Sequence, residues 1–193
     1  MTSHPDDEWR TELLRNRERK ERYFRENQRS PIPPELRGDD FPGLDYYEPD
    51  PDYRFELGLR RYDEPEPVTV ETTADGEQTY RRVGRFEFEI DGTEMSLDAF
   101  EPTDGSDRLW VPFRDVTSGE ETYGAGRYVD LEPGPDRRDD GTWVLDLNRA
   151  YSPTCAYNPA YECPLVPPSN WLDVRIEAGE RDFPADVYEH EHA

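Results

Sequence analysis

Histidine lies only at the two ends of this chain, and this restricts the chemistry that its body can perform. The three histidines are His4, His190 and His192. A Ser-His-Asp or Cys-His catalytic system needs an internal imidazole, so both are excluded for the central region. An enzyme built from this sequence must therefore use carboxylates, arginines, tyrosines or a thiol.

A first polar segment, Pro112–Tyr128, combines short polar side chains with two closely spaced glycines. Gly124 and Gly126 permit close approach of the backbone to a ligand or to another strand. Arg127 then opens a predicted strand, where its guanidinium can bind a carboxylate or phosphate with two hydrogen bonds. The alternative is a β-bulge in which Arg127 forms a structural ion pair with an aspartate.

A second segment begins at Asp146 and continues to Trp171 as a long loop containing several prolines. Loops longer than roughly 12–15 residues within a domain are usually functional or disordered, and the tyrosines and cysteines argue against disorder. The side chains could line a pocket, or they could satisfy buried backbone groups of an irregular loop. The candidate ligand-binding residues of both segments are Arg127, Tyr128, Asn148, Arg149, Tyr151, Tyr157, Asn158 and Asn170.

Three functions fit these segments. The first is binding of a small anionic molecule, because arginines accompany amides and phenols in the candidate pocket. The second is a hydrolase or lyase that uses Asp115, Asp146 and Glu180 without histidine, since carboxyls in different environments can have separated pKa values. A Cys155 nucleophile is less favoured because no internal histidine lowers its pKa. The third is a non-catalytic interaction module.

The charge composition narrows the range of partners. The net charge is −23, and Lys20 is the single lysine among 23 basic residues. An acidic, lysine-poor surface indicates adaptation to high salt, which screens the self-repulsion. The same charge makes nucleic acid and anionic membranes poor partners. No apolar run is long enough for a membrane span or signal peptide, so we expect a cytoplasmic protein.

Cys155 and Cys163 are the two cysteines of the chain. Two cysteines cannot form a closed zinc site by themselves, and a disulfide is disfavoured in a reducing compartment. We expect buried free thiols, and we predict neither a metal nor a cofactor.

The N-terminal region predicts a helix over Pro5–Asn27, with Ser3 and Asp6 resembling a capping box. Its apolar face is formed by Trp9, Leu13, Tyr23 and Phe24, and it is interrupted by Asn16, Arg17 and Lys20. This arginine-rich helix can dock on the acidic body, dock on a partner subunit in a homo-oligomer, or stay solvated.

The remaining sequence predicts a mainly β fold, an antiparallel barrel or sandwich. Predicted strands cover Tyr53–Arg61, Val68–Thr73, Thr79–Ile90, Glu94–Phe100, Arg108–Phe113, Arg127–Leu131, Thr142–Leu147 and Trp171–Glu177. Asp91-Gly92 is a strong signal for a two-residue hairpin. We predict an N-terminal helix in residues 1–30, one β domain in residues 31–183 and an acidic tail in residues 184–193.

The stretches Trp110–Tyr128 and Asp146–Glu180 resemble the signature blocks of the family called domain of unknown function 1684. Weaker similarity covers Phe24–Arg54. Members of that family occur in bacteria and salt-loving archaea, and the resemblance is to a salt-loving archaeal member. The family has no established activity, so the resemblance implies no mechanism.

Overall fold

The computed structural model describes residues 4–188, and its first element is the predicted helix. Helix α1 spans Pro5–Glu26, and the side chain of His4 accepts a hydrogen bond from the backbone N–H of Asp6. Ser3, part of the predicted cap, lies outside the described residues, as do His190 and His192 of the predicted acidic tail. None of the helices in residues 4–188 is long and apolar enough to cross a membrane.

Seven antiparallel strands follow, and they form two open sheets. The larger sheet has the strand order β2-β3-β4-β5-β6, and β1 pairs with β7 in a second sheet. Within the described residues the sheets form a sandwich-like arrangement without barrel closure, which confirms the mainly β class. The strands are β1 (Arg54–Leu57), β2 (Arg60–Glu71), β3 (Glu77–Ile90), β4 (Thr93–Pro102), β5 (Leu109–Phe113), β6 (Arg127–Leu131) and β7 (Trp143–Asp146).

The β3–β4 hairpin follows the sequence pattern closely. Asp91 and Gly92 form its turn with φ values of 50° and 80°. Positive φ at both positions is what a two-residue turn matching the strand twist requires, and Asp-Gly tolerates it. Phe86 and Phe88 alternate with exposed glutamates and are buried in the core.

The single strand predicted over Tyr53–Arg61 is two strands in the structure. Strand β1 ends at Leu57 and pairs with β7, whereas β2 begins at Arg60 and pairs with β3. The chain therefore moves from one sheet to the other at Gly58-Leu59.

The strand predicted at Trp171–Glu177 is wrong. Trp171 forms an isolated bridge with Arg114, and further along the segment Asp115 and Arg127 take the backbone hydrogen bonds. The Asp115 carboxylate accepts from Ile176 N at 2.7 Å, and Arg127 Nη2 donates to Ile176 O at 2.9 Å. At the start of the segment Arg114 N donates to Asn170 O, Leu172 N to Arg114 O and Val116 N to Val174 O. Further on, the side chains of Asp115 and Arg127 replace this backbone pairing, so no full strand forms.

Both faces of the larger sheet are covered. One face packs against β1, β7 and the segment containing Ile176, with Phe55 and Phe88 in contact at a ring separation of 4.9 Å. The opposite face packs its aromatic residues against the long loop, through Val166. A third apolar cluster joins Phe24 at the end of α1 to Tyr157 of the same loop. The loop is thus fixed between the sheet and the helix.

Candidate functional site

Helix α1 lies on its own β body, held by polar contacts along its length. Trp9 Nε1 donates to Asp146 Oδ2 at 2.7 Å, just beyond the end of β7. About two helical turns further along α1, Arg17 Nη1 donates to Tyr47 O at 2.8 Å. Lys20 Nζ donates to Glu180 Oε2 at 2.6 Å. Of the three predicted placements of the helix, the structure shows docking on the body of the same chain; a homo-oligomer remains a prediction.

A cleft of about 360 Å³ opens between α1 and the body, and we call it the helix cleft. Three of its lining side chains are cationic, and one is a carboxyl group. A cavity of this size is at the lower end of the range for small-molecule sites. Its lining residues are Leu13, Asn16, Arg17, Lys20, Tyr46, Asn148, Arg149, Ala150, Tyr151 and Glu180.

Glu180 forms the inner wall of the helix cleft and is only 1% exposed. Besides the ammonium of Lys20, it accepts hydrogen bonds from the Tyr157 hydroxyl and from Ser152 N. Burial raises the pKa of the Glu180 carboxyl above its ordinary value, and Lys20 opposes that rise. The pair is a carboxyl group and an amine in direct contact, and one side of it faces the cleft.

The position of Glu180 depends on the preceding glycine. Gly179 has a φ of 81°, and a Cβ placed there would lie 2.8 Å from Ala150 O. Only glycine accepts both this conformation and this close approach. The backbone of Glu180 then donates to Ala150 O at 2.9 Å, which aligns the C-terminal segment with the loop after β7.

The ammonium of Lys20 lies among aromatic rings as well as beside Glu180. It is 5.2 Å from the ring centre of Phe24, 5.4 Å from that of Tyr151 and 5.8 Å from that of Tyr157. These distances fall within the range of cation–π contact. Since the side chain of Lys20 is 27% exposed, the ammonium is positioned by the protein yet remains accessible.

Three buried polar atoms near this pair have no hydrogen-bond partner within the part of the chain that the structure describes. They are Arg17 Nε, Tyr46 Oη and Ser152 Oγ. Burial raises the pKa of Tyr46, so its hydroxyl keeps its proton and can donate. Unsatisfied buried polar atoms are uncommon in folded proteins, and two of these, Arg17 Nε and Tyr46 Oη, belong to residues that line the helix cleft.

Arg149 and Tyr151 line the outer part of the helix cleft. Arg149 Nη1 donates to Asp136 Oδ1 at 2.5 Å, and the side chain is 41% exposed. The Tyr151 hydroxyl donates to the Asp130 carboxylate, and burial raises the pKa of Tyr151. Of the candidate ligand-binding residues, Arg149 and Tyr151 line the helix cleft together with Asn148.

Arg127 lies in the protein interior and does not border the cleft. Its side chain is 0% exposed and donates to the carbonyls of Ala178, Glu180 and Ile176. Its Nη2 is 3.5 Å from Asp115 Oδ1, which is the structural ion pair considered as the alternative. Gly126 permits this arrangement, because a Cβ there would lie 2.6 Å from Phe113 O.

The amide side chains are engaged with backbone groups. Asn148 bridges both backbone groups of Asp50, and Asn170 binds Asp98 and the Pro112 carbonyl. Asn158 Oδ1 accepts from Ala160 N. These contacts agree with the alternative in which the residues satisfy the backbone of an irregular loop, although Asn148 also forms part of the cleft wall.

Tyr128 and Tyr157 are buried, and each donates its hydroxyl within the protein. Tyr128 binds the Pro164 carbonyl, and Tyr157 binds Glu180. Tyr128 and Tyr151 also exchange backbone hydrogen bonds at 2.9 and 3.0 Å. The glycine-bearing segment and the long loop therefore do meet in space, but mainly through backbone and buried side chains.

The three nominated carboxyls have separate partners. Asp115 is bound by Arg127 and by Ile176 N, whereas Asp146 accepts from Trp9 and Asn148. Glu180 alone of the three lines the helix cleft. Among residues 4–188, no group of three or more His, Cys, Asp or Glu side chains is arranged to hold a metal ion.

The residues that sequence reasoning missed are Arg17, Lys20 and Tyr46. Arg17 and Lys20 interrupt the apolar face of α1 in the sequence. That interruption was the available signal, because polar residues on the docked face of a helix are not needed for packing. Tyr46 carried no signal beyond its place in an aromatic pair.

Fold and cleft together define a mainly β protein whose N-terminal helix closes one side of a cation-lined cleft. The family described as "Protein of unknown function (DUF1684)" matches residues 39–181, and the chain belongs to this family. No curated protein matches the chain.

A solved structure similar to this chain is the solution NMR structure of the uncharacterized protein from gene locus rrnAC0354 of Haloarcula marismortui. It is 47% identical, with a TM-score of 0.69, and the match covers 91% of this chain and 95% of the other. The resemblance inferred from the sequence, to a salt-loving archaeal member of the family, is thereby confirmed.

Proposed function

We propose that this protein binds a small anionic molecule in the helix cleft. The observation that carries the proposal is the convergence of Arg17, Lys20 and Arg149 on one cleft in a chain whose net charge is −23. An acidic surface repels anions in general, so a local excess of cations makes the helix cleft favourable for an anion. The cleft is lined by a single carboxyl group, Glu180, whose charge Lys20 offsets.

The polar atoms that lack partners support the same proposal. Arg17 Nε and the Tyr46 hydroxyl are donors, and an anion is an acceptor. Both atoms are buried, so an anion would pair with them once Arg17 or Tyr46 turns towards the cleft. The cleft volume suits a compact metabolite rather than a polymer.

The proposal is tested by calorimetric titration with citrate and with inorganic phosphate at constant ionic strength. The variants are Lys20→Met and Arg149→Gln, with Arg19→Gln as the matched control on the exposed side of α1. A hydrogen bond to a charged group contributes about 1.5–3 kcal/mol, so each cleft variant should weaken binding roughly 10- to 100-fold. The control should bind like the unmodified protein.

Two results would overturn the proposal. One is the absence of saturable binding of either probe to the unmodified protein. The other is equal weakening in Arg19→Gln and in the cleft variants, because this would show that only the overall charge matters.

One observation favours a second candidate function, a histidine-independent hydrolase or lyase. Glu180 has a raised pKa and contacts an amine that faces the cleft, an arrangement that can donate and accept protons. Because Asp115 and Asp146 are engaged elsewhere, this candidate would use Glu180 and Lys20 rather than paired carboxylates. Turnover of a bound anion that is lost in Glu180→Gln while binding remains would support it.

A further inference from the structure

The two cysteines are in contact with each other, and neither of them lines the helix cleft. Cys155 lies in a 3₁₀ turn, Thr154–Ala156, and Cys163 lies where the long loop runs beside the end of β2. Cys163 is anchored there, since its carbonyl accepts from Thr73 N at 3.0 Å and its N–H donates to Thr73 Oγ1 at 3.1 Å. Both thiols are free and buried. The loop therefore holds the two sulfurs together without joining them.

The donors around the two sulfurs are unevenly distributed. Cys163 Sγ accepts from Cys155 N at 3.3 Å and lies 3.3 Å from Thr154 Oγ1. A hydrogen bond between the two thiols lowers the pKa of Cys163 and raises the pKa of Cys155. Hydrogen bonds to a sulfur favour its thiolate, which is the reactive form of cysteine.

The exposures of the two cysteines agree with this difference. Cys163 is 5% exposed and Cys155 is 1% exposed. Tyr123 donates its hydroxyl to Cys155 Sγ at 3.4 Å. Both cysteines are therefore buried, and Cys163 is the slightly more exposed residue of the pair.

We propose that Cys163 and Cys155 form a peroxide-reactive pair, in which Cys163 is the attacking sulfur and Cys155 is the resolving sulfur. The Cys163 thiolate attacks one oxygen of hydrogen peroxide, the O–O bond breaks and hydroxide leaves, which gives a sulfenic acid at Cys163. The Cys155 sulfur then attacks the Cys163 sulfur, the S–O bond breaks, and the thiol proton leaves with the hydroxyl group as water. Peroxide is the two-electron oxidant, and the product is an intramolecular disulfide.

The sequence alone argued against this disulfide because of the expected reducing compartment. The structure supplies the reason to expect it transiently, because the two cysteines are in contact and Cys163 Sγ has donors that favour its thiolate. A reducing compartment would return the disulfide to thiols, so the reaction is reversible and does not conflict with free cysteines at rest.

The test uses the full reduced chain, which is treated with hydrogen peroxide and then alkylated and analysed by intact mass and peptide mapping. We expect the unmodified protein to lose both alkylatable thiols together, to form a 155–163 disulfide within one chain, and to recover both thiols with dithiothreitol. The variants are Cys155→Ser and Cys163→Ser, each checked by circular dichroism for retention of the fold.

The variants distinguish the roles of the two sulfurs. Cys155→Ser should react with peroxide and accumulate a sulfenic acid that dimedone traps, whereas Cys163→Ser should react at least about tenfold more slowly. The proposal is overturned if the unmodified protein retains both thiols or is oxidised to sulfinic acid without forming a disulfide. Equal peroxide reactivity in the two variants would also overturn it, by removing the assigned order.

Discussion

Replacing Lys20 with methionine is the sharpest test of the electrostatics beneath the helix. The substitution keeps an apolar stem among Phe24, Tyr151 and Tyr157 but leaves the Glu180 carboxyl without its counter-charge. Glu180 must then either stay ionised in a buried site or take up a proton. Both alternatives cost free energy, and the cheaper one sets the loss of stability.

Protonation sets the upper limit of that loss. Bringing a carboxyl group from its ordinary pKa of 4.5 to the protonated form at pH 7 costs about 1.36 kcal/mol for each of roughly 2.5 pH units, or about 3.4 kcal/mol. We therefore expect Lys20→Met to lower the free energy of unfolding by about 2–3 kcal/mol at pH 7, somewhat below the limit because methionine packs well among the rings.

The sign of the pH dependence follows from the direction of the pKa shift. Burial raises the pKa of Glu180 above 4.5, and removal of Lys20 raises it further. The folded state of the variant then binds a proton more readily than the unfolded state. Its deficit relative to the unmodified protein should therefore be small near pH 4.5 and should grow as the pH rises towards the raised pKa.

The assay is urea unfolding at constant salt and at several pH values from 4.5 to 8, followed by tryptophan fluorescence. Arg19→Met is the matched control, since Arg19 is 67% exposed on the same helix and its loss changes the net charge equally. Adding Glu180→Gln to the Lys20→Met variant should abolish the extra pH dependence. A deficit that is the same at pH 5 and pH 8, or a control with the same slope, would refute the reasoning.

Two further predictions concern the contacts that hold the fold. Arg127→Met should lower the free energy of unfolding by about 3–5 kcal/mol, because it leaves Asp115 charged in the interior, and a urea midpoint close to that of the unmodified protein would contradict this. Trp9→Phe removes the hydrogen bond to Asp146 and should cost about 1.5–3 kcal/mol. Hydrogen exchange should quicken in α1 while the β3–β4 hairpin stays protected; equal exchange in both regions would show that the bond does not hold the helix.

Local patterns predicted those elements whose hydrogen bonds are local. The β3–β4 hairpin depends on a two-residue turn and on alternating burial. Asp91-Gly92 predicts the turn, and the spacing of Phe86 and Phe88 predicts the alternating burial. Helix α1 is predicted for the same reason. The sequence left open whether α1 docks on the body, because that choice depends on distant residues such as Glu180, which is 160 positions from Lys20 in the chain.

The failed prediction at Trp171–Glu177 shows why alternating burial does not establish a strand. Ile176 and Ala178 are both buried in the core, as in a strand, but their carbonyls accept from the Arg127 guanidinium. A side chain from a distant segment can satisfy an extended backbone as well as a ladder can. The sequence of an extended segment does not show whether its partner is a strand or a side chain. Here the partner is Arg127, and the local sequence pattern does not reveal that Arg127 is buried.

The same limit affected the site. Arg127, in a glycine-bearing segment, was a candidate for ligand binding, but it binds groups of the protein itself. Two of the three cations of the helix cleft instead come from α1, whose polar residues are also compatible with a solvated helix. What decides between these roles is whether the protein already supplies acceptors. Arg127 has three carbonyls and a carboxylate within reach of its Nη atoms, whereas the Nη atoms of Arg17 bind two carbonyls and no carboxylate; the Nε of each arginine has no partner among residues 4–188.

The single lysine can be explained in the same terms. The wall around Lys20 offers one carboxyl group and several aromatic rings, and one oxygen of that carboxyl is already bound by Tyr157. A guanidinium has five donors in a fixed fork and would leave most of them unsatisfied there, whereas an ammonium is compact and has three. One donor of Lys20 binds Glu180, and the aromatic faces stabilise the charge without accepting the other hydrogens. A chain that otherwise uses arginine therefore has reason to place lysine here, and the ammonium retains donor capacity for an anion in the cleft.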